Sequence, residues 1–257
     1  MDEKIYAIGD IHGDLPKLKA IHARIAQDCE DQPCTVVHLG DLVDRREDSC
    51  GVVNYLMAGQ KRGEPWVVIK GNHDRLFSRF YRDPCWQDPA LSPALNWLHP
   101  KLGGTETLQS YGADVQHFQD PACVHAEALR CVPLAHIEYL ENLPLYHRVG
   151  GLLFVHAGIR PKIDLQAQTE DDLLWIREDF FSYHAPHDFL VIHGHTIVKH
   201  VTHYGNRINV DTGAAWGDDL SVIVIENNQI WDLSEDGRKT LHRSYQEAGA
   251  RLQYTPT

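Results

Sequence analysis

No run of apolar residues in the 257-residue sequence approaches the roughly 18 needed to cross a bilayer as a helix. The opening segment MDEKIYAIGDIHGD has neither the basic start nor the apolar stretch of a secretory signal, so a cytoplasmic protein is expected. Cysteine is sparse and scattered: Cys29, Cys34, Cys50, Cys85, Cys123 and Cys131 show no CxxC spacing. That excludes a zinc knuckle or a dithiol redox pair and predicts free thiols. Basic residues are outnumbered 24 to 36, for a net charge of −12. A phosphate-neutralising basic stripe is absent, so neither nucleic acid nor an anionic membrane surface is an expected partner. What the chain does have is 17 histidines, several beside Gly, Asp or Asn at the ends of apolar runs.

With 43% hydrophobic and 23% charged residues the composition is that of an ordinary globular protein. Its length suits a single domain over 1–257, with a loop-rich and helical insertion at about 81–145. The apolar run Ile5 to Ile8 ends in Gly9-Asp10, and helical spacing follows at Leu15, Leu18, Ile21 and Ile25. The pattern repeats twice. Thr35 to Leu39 ends in Gly40-Asp41 before a helical stretch at Val52 to Leu56, and Trp66 to Ile69 ends in Gly71-Asn72-His73-Asp74 before a helix from Arg75. Three strand-loop-helix units predict an α/β architecture with a largely parallel sheet. Prolines break the stretch from Tyr81 to Pro100, which also carries Trp86 and Trp97. Helices are expected at Thr105 to Ser110 and Ile137 to Leu143, and strands at Leu152 to Val155, Phe189 to Ile192 and Ile208 to Val210. A hairpin pairs Leu220 to Glu226 with Gln229 to Leu233 around Asn227-Asn228, and the tail from about Arg243 is polar with weak helical character.

Five strands thus deliver Asp10 with His12, Asp41, Asn72 with His73, His156 and His195 to their carboxyl ends, where open α/β sheets gather ligands. Each fragment alone is ordinary turn and capping chemistry. Together, imidazoles mixed with carboxylates and an amide suit a borderline divalent ion such as Mn, Fe, Co or Zn better than calcium.

Gly9-Asp10-Ile11-His12-Gly13, Gly40-Asp41-Leu42-Val43-Asp44-Arg45 and Gly71-Asn72-His73-Asp74 resemble the signature blocks of the calcineurin-like metallophosphoesterases, of the phosphoprotein phosphatase type. His156-Ala157-Gly158, Trp175-Ile176-Arg177, Gly194-His195-Thr196 and Asp211-Thr212-Gly213 extend the likeness over about residues 4 to 233, and the small bacterial serine/threonine protein phosphatases are the nearest branch. The resemblance implies a four-layer α/β/β/α sandwich with two mixed sheets. It implies two divalent metal ions, manganese ahead of iron, zinc or cobalt. One would be held by Asp10, His12 and Asp41, the other by Asp41, Asn72, His156 and His195, with direct attack by a metal-bridging hydroxide. His73 would be the general acid with Asp44 as its partner, raising the imidazole pKa, and Arg45 and Arg177 would grip the phosphate.

Where the family usually follows Asp-Arg with Gly, this chain has Arg46, a costly residue if the turn needs a left-handed backbone there, and a further cation for a polyanionic substrate. Asp14 adds negative charge or caps a helix. Asp211 orients a ligand or serves a turn, and His193 packs or supports the ligands from behind. Trp86 and Trp97 stack on a substrate or fill a satellite core.

The expected activity is a metal-dependent phosphatase acting on phosphoserine or phosphothreonine, or on phosphotyrosine, in a phosphoprotein or phosphopeptide. The alternative is a nucleotide hydrolase of the diadenosine tetraphosphatase type. Asp44 weighs for the first, because the symmetrical tetraphosphatases commonly carry Ala there. The Gly-His-x-His of related nucleases is missing at Gly194-His195-Thr196-Ile197. No Cys-x5-Arg loop or Asp-x-Asp-x-Thr motif offers another phosphatase chemistry, and a non-catalytic scaffold would not need the full ligand set with His73 and Asp44.

Overall fold

The strand Lys4–Ile8 (β1) divides its side chains between two cores, as the two-residue period of a strand dictates. Tyr6 and Ile8 join Val36 and Val68 against helices, while Ile5 and Ala7 join Val37, Leu39 and Ile69 against a second sheet. The computed structural model describes residues 4–30, 32–115 and 120–244.

In chain order, β1 is followed by α1 (Leu15–Cys29), β2 (Cys34–His38), α2 (Ser49–Arg62), β3 (Trp66–Val68) and α3 (Asn72–Arg82). Next come α4 (Gly104–Ser110), α5 (Pro121–Cys131), α6 (Leu134–Glu141), β4 (Tyr146–Val149) and β5 (Leu152–Val155). Then follow α7 (Glu170–Trp175), α8 (Glu178–Phe181), β6 (Leu190–His193), β7 (Thr202–His203), β8 (Arg207–Asn209), β9 (Val222–Glu226), β10 (Gln229–Ser234) and β11 (Gly237–Thr240). One sheet runs β11-β10-β9-β1-β2-β3, parallel from β1 to β3 and antiparallel elsewhere. The other runs β4-β5-β6-β8-β7, with β5, β6 and β8 parallel. Phe154, Ile192 and Ile208 of this second sheet, with Val210 just after β8, pack on Ile5, Ala7, Ile223 and Ile225 of the first. Its outer face, at Leu153, Val155 and Val191, is covered by Leu173 of α7 and by Phe180 and Phe181 of α8. Helices therefore cover both outer faces, and the chain is an α/β/β/α sandwich with two mixed sheets.

The chain between α3 and α4 holds no helix or strand and is tied down by Arg75, whose guanidinium pairs with buried Asp88 (2.8 Å) and with Asp171 (2.6 Å). Helix α3 begins three residues before the expected Arg75. The Asp74 carboxylate accepts the Gly71 amide (2.8 Å), so Asn72 and His73 form its first turn. Strands β4, β7 and β11 and helices α5, α7 and α8 are additions to the elements read from sequence. They are short, or, like α5, only weakly amphipathic, and tertiary pairing rather than local pattern fixes them. The polar tail lies outside the described residues from 245 onward. No described helix is long and apolar enough to cross a membrane.

Candidate metal centre

Parallel β1, β2 and β3 point their carboxyl ends the same way, as do β5 and β6 of the facing sheet, and the loops after them meet across the sandwich. Asp10, His12, Asp41, Asn72, His73 and His156 are all buried, and His195 is half-buried. Five residues of this cluster adopt left-handed backbone: His12 (φ 49°), Asp41 (49°), Asp44 (75°), Arg45 (72°) and His195 (66°). Such backbone costs roughly 1–2 kcal/mol in a residue with a Cβ, and its concentration at one place marks a built site. The glycine of Gly-His is equally constrained, because a Cβ on Gly194 would stand 2.1 Å from Asp10 Oδ1. A Cβ on Gly71 would meet Asp41 Oδ1 at 2.2 Å.

Two trios of potential ligand atoms lie within 4.8 Å of one another among the described residues: His12, Asp41 and His73, and Asp41, His156 and His195. Asp41 belongs to both, with Oδ2 3.3 Å from His12 Nε2 and Oδ1 3.4 Å from His156 Nε2. Asp10 belongs to neither trio; its carboxylate accepts the His195 amide at 3.1 Å.

The tautomers suit metal ligation. His12 Nδ1 donates to the Val43 carbonyl (2.9 Å) and His156 Nδ1 to the Leu39 carbonyl (2.8 Å), which leaves Nε2 of each neutral ring as a lone pair facing inward. His156 Nε2 meets Asn72 Oδ1 at 2.8 Å, lone pair against lone pair, and His195 Nε2 is buried with no hydrogen-bond partner. Burial pushes His12 down to about 4 and lowers His156 and His195 as well, so the rings stay neutral. Burial with the Asp211 and Asp41 charges holds Asp10 well above the usual carboxylate range, a cost that a cation would relieve. Converging lone pairs, an orphaned imidazole nitrogen and crowded carboxylates fit a divalent pair.

His73 Nδ1 lies 2.6 Å from Asp44 Oδ2. Asp44 is completely buried and also accepts Trp97 Nε1 (2.9 Å) and the Thr107 hydroxyl (2.7 Å). The expectation that Asp44 raises the imidazole pKa is corrected. Burial, reinforced by the Arg45 charge, pushes His73 down to about 3, and burial pushes Asp44 up to about 7. At 2.6 Å the two groups share one proton, and their titration belongs to the pair rather than to either residue. Trp97, left open between substrate stacking and core filling, does neither alone: it stacks on Phe77 (5.1 Å between centroids) inside the main core and orients Asp44. Sequence reasoning missed Trp97 and Thr107 in this role. Trp97→Phe keeps the packing and removes the N–H, and kcat is expected to fall about tenfold, with displacement of the alkaline limb of the pH profile. An unmoved profile would show that Trp97 only fills space.

Arg45 joins the two imidazoles of the first trio, donating to His12 Nε2 (3.2 Å) and to His73 Nε2 (3.1 Å). Arg177 precedes α8, and its charge contributes to lowering His73, His156 and His195. Arg46 is not left-handed; Asp44 and Arg45 carry the turn, so replacing glycine at 46 strains nothing. Asp14 caps α1 by accepting the Lys17 amide, Asp211 accepts the Gly213 amide, and His193 packs edge-on against Phe180.

Residues 3–225 match the sequence profile of the calcineurin-like phosphoesterases. The asymmetrical bis(5'-nucleosyl)-tetraphosphatase PrpE of Anoxybacillus flavithermus is 25% identical over 240 residues, 84% of this chain and 88% of that protein. The PrpE of Bacillus subtilis is 24% identical over 83% and 87%. Among solved structures, one provisionally named a diadenosine tetraphosphatase superposes with a TM-score of 0.63 at 19% identity, covering 90% of this chain and 93% of that one. A cold-active protein-tyrosine phosphatase of a Shewanella species gives 0.56 at 15% identity, covering 94% and 82%.

Proposed function

The chain belongs to the calcineurin-like phosphoesterase family, and from that membership we propose that it hydrolyses nucleoside polyphosphates, splitting diadenosine tetraphosphate unequally. The observation that carries this reading is the likeness to tetraphosphatases over 84% of the chain. The phosphoprotein substrate expected from sequence gives way to the alternative, because likeness to the tyrosine phosphatase at 15% identity speaks for fold alone. Asp44 fits the change. Its presence argues against the symmetrical tetraphosphatases, and the relatives at hand are asymmetrical ones.

In this reading Asp10, His12, Asp41, Asn72, His156 and His195 hold two divalent ions. Those ions would supply an activated water and positive charge for the attacked phosphoryl group. Arg45 and Arg177 orient the phosphate oxygens through planar, permanently charged forks. The Asp44–His73 pair is the proton source for the leaving oxygen, with Nε2 of the imidazole able to deliver it once Arg45 turns from that nitrogen to the phosphate.

The test is hydrolysis by metal-stripped protein resupplied with manganese, on diadenosine tetraphosphate, a phosphoserine peptide and a phosphotyrosine peptide in parallel. The dinucleotide is expected to lead in kcat/KM by at least about tenfold, one decade of transition-state stabilisation, with a nucleoside triphosphate and a monophosphate as products. Two equal halves, or a preferred phosphopeptide, would overturn the proposal.

A further inference from the structure

Trp216 is more than half exposed (55%), an unusual position for the largest side chain, and it stands beside the phosphate grip. The Arg45 guanidinium lies over its ring at 5.1 Å from the centroid, a cation–π contact that ties the indole to the candidate centre. The short 3-10 turn that carries it, Ala214–Trp216, is framed by left-handed Gly213 (φ 87°) and Gly217 (φ 110°), and Ala214 and Ala215 anchor it in the interior. Arg46 reaches across and donates to the Ala214 carbonyl at 3.3 Å. The residue that replaces the family's usual glycine therefore braces the turn that presents Trp216. Ile197, 47% exposed, lies against the same turn, with Cγ2 3.2 Å from a Cβ position on Gly213.

A projecting indole, an apolar neighbour and two adjacent guanidiniums match a ligand with a flat π-face joined to several negative charges. We propose that Trp216 is the stacking platform for the nucleobase of a nucleoside polyphosphate, with Arg45 and Arg46 flanking its phosphate chain. The proposal rests on the nucleotide-hydrolase reading and names how that substrate is told from inorganic polyphosphate. Every base offers a π-face, so the platform selects for a base without choosing among bases.

The experiment compares binding of adenosine 5'-(α,β-methylene)triphosphate and inorganic tripolyphosphate to the manganese-loaded full chain as wild type, Trp216→Ala and Trp216→Phe. Circular dichroism checks the fold of each. Any loosening of Arg45 in Trp216→Ala weakens both ligands and cancels in the ratio of their affinities. The wild type is expected to prefer the nucleotide about ten- to hundredfold, the range base–aromatic stacking supports. Trp216→Ala should lose that preference and Trp216→Phe should restore most of it. An unchanged ratio in Trp216→Ala, no preference in the wild type, or a stronger Trp216 dependence for a phosphotyrosine peptide would overturn the proposal. Turnover of diadenosine tetraphosphate, measured alongside, separates the two claims. A Trp216-dependent preference without turnover removes the hydrolase and keeps the platform, and turnover with an unchanged ratio does the reverse.

Discussion

Replacing Asp41 with Asn should cost at least about three decades in kcat/KM, because it removes several kcal/mol of charge stabilisation from both halves of the centre together. Asp41 is the one residue shared by the two trios, its two oxygens facing His12 and His156 separately. The Oδ1 atom also accepts the His73 amide at 2.9 Å, so the first turn of α3 is anchored on the same group. An amide of equal size keeps the shape and supplies a carbonyl oxygen, but it cannot neutralise two cations. Steady-state kinetics over a manganese titration measures the effect. A variant that regains wild-type turnover at high manganese would show that Asp41 tunes affinity only.

His73→Asn should reduce kcat with KM within about threefold, the pattern of an interaction made in the transition state. Loss of a positioned acid removes about 10²–10⁴ of rate, and the leaving group decides where in that range the defect falls. A departing nucleotide phosphate, with a second pKa of about 6, carries its charge readily at pH 7, so the defect on diadenosine tetraphosphate is expected near the lower end. An alkyl phosphomonoester leaves as an alkoxide and should suffer nearer the upper end. Equal losses on both substrates would remove the acid role and leave His73 as a binding residue.

The loops of the candidate site were legible because their chemistry is local. Glycine stands before Asp10, Asp41, Asn72 and His195, and at Gly71 and Gly194 the reason is visible as a carboxylate where a Cβ would be. Two mixed sheets followed from the resemblance to a known family, and the parallel strands at their centre from the strand-loop-helix rhythm. The support behind Asp44 was illegible because Trp97 and Thr107 lie 53 and 63 residues away and arrive through tertiary packing. The left-handed turn was expected at Arg46, one to two residues late, for a related reason. Spacing shows that a left-handed residue is needed, and only backbone geometry shows that Asp44 and Arg45 supply it. The direction of the His73 shift failed because the motif names its charged partner and is silent on burial, which outweighs it. Trp216 carried a faint signal, an aromatic between glycines just after Asp211-Thr212-Gly213, which gains meaning only once Arg45 is found against its ring.

Whether one carboxylate, Asp41, serves two ions is measured most directly by calorimetric titration of the metal-stripped full chain with manganese. Two ions per wild-type chain are predicted, with neither bound at comparable affinity by Asp41→Asn. One ion per wild-type chain, or two ions still bound tightly by the variant, would contradict that shared role.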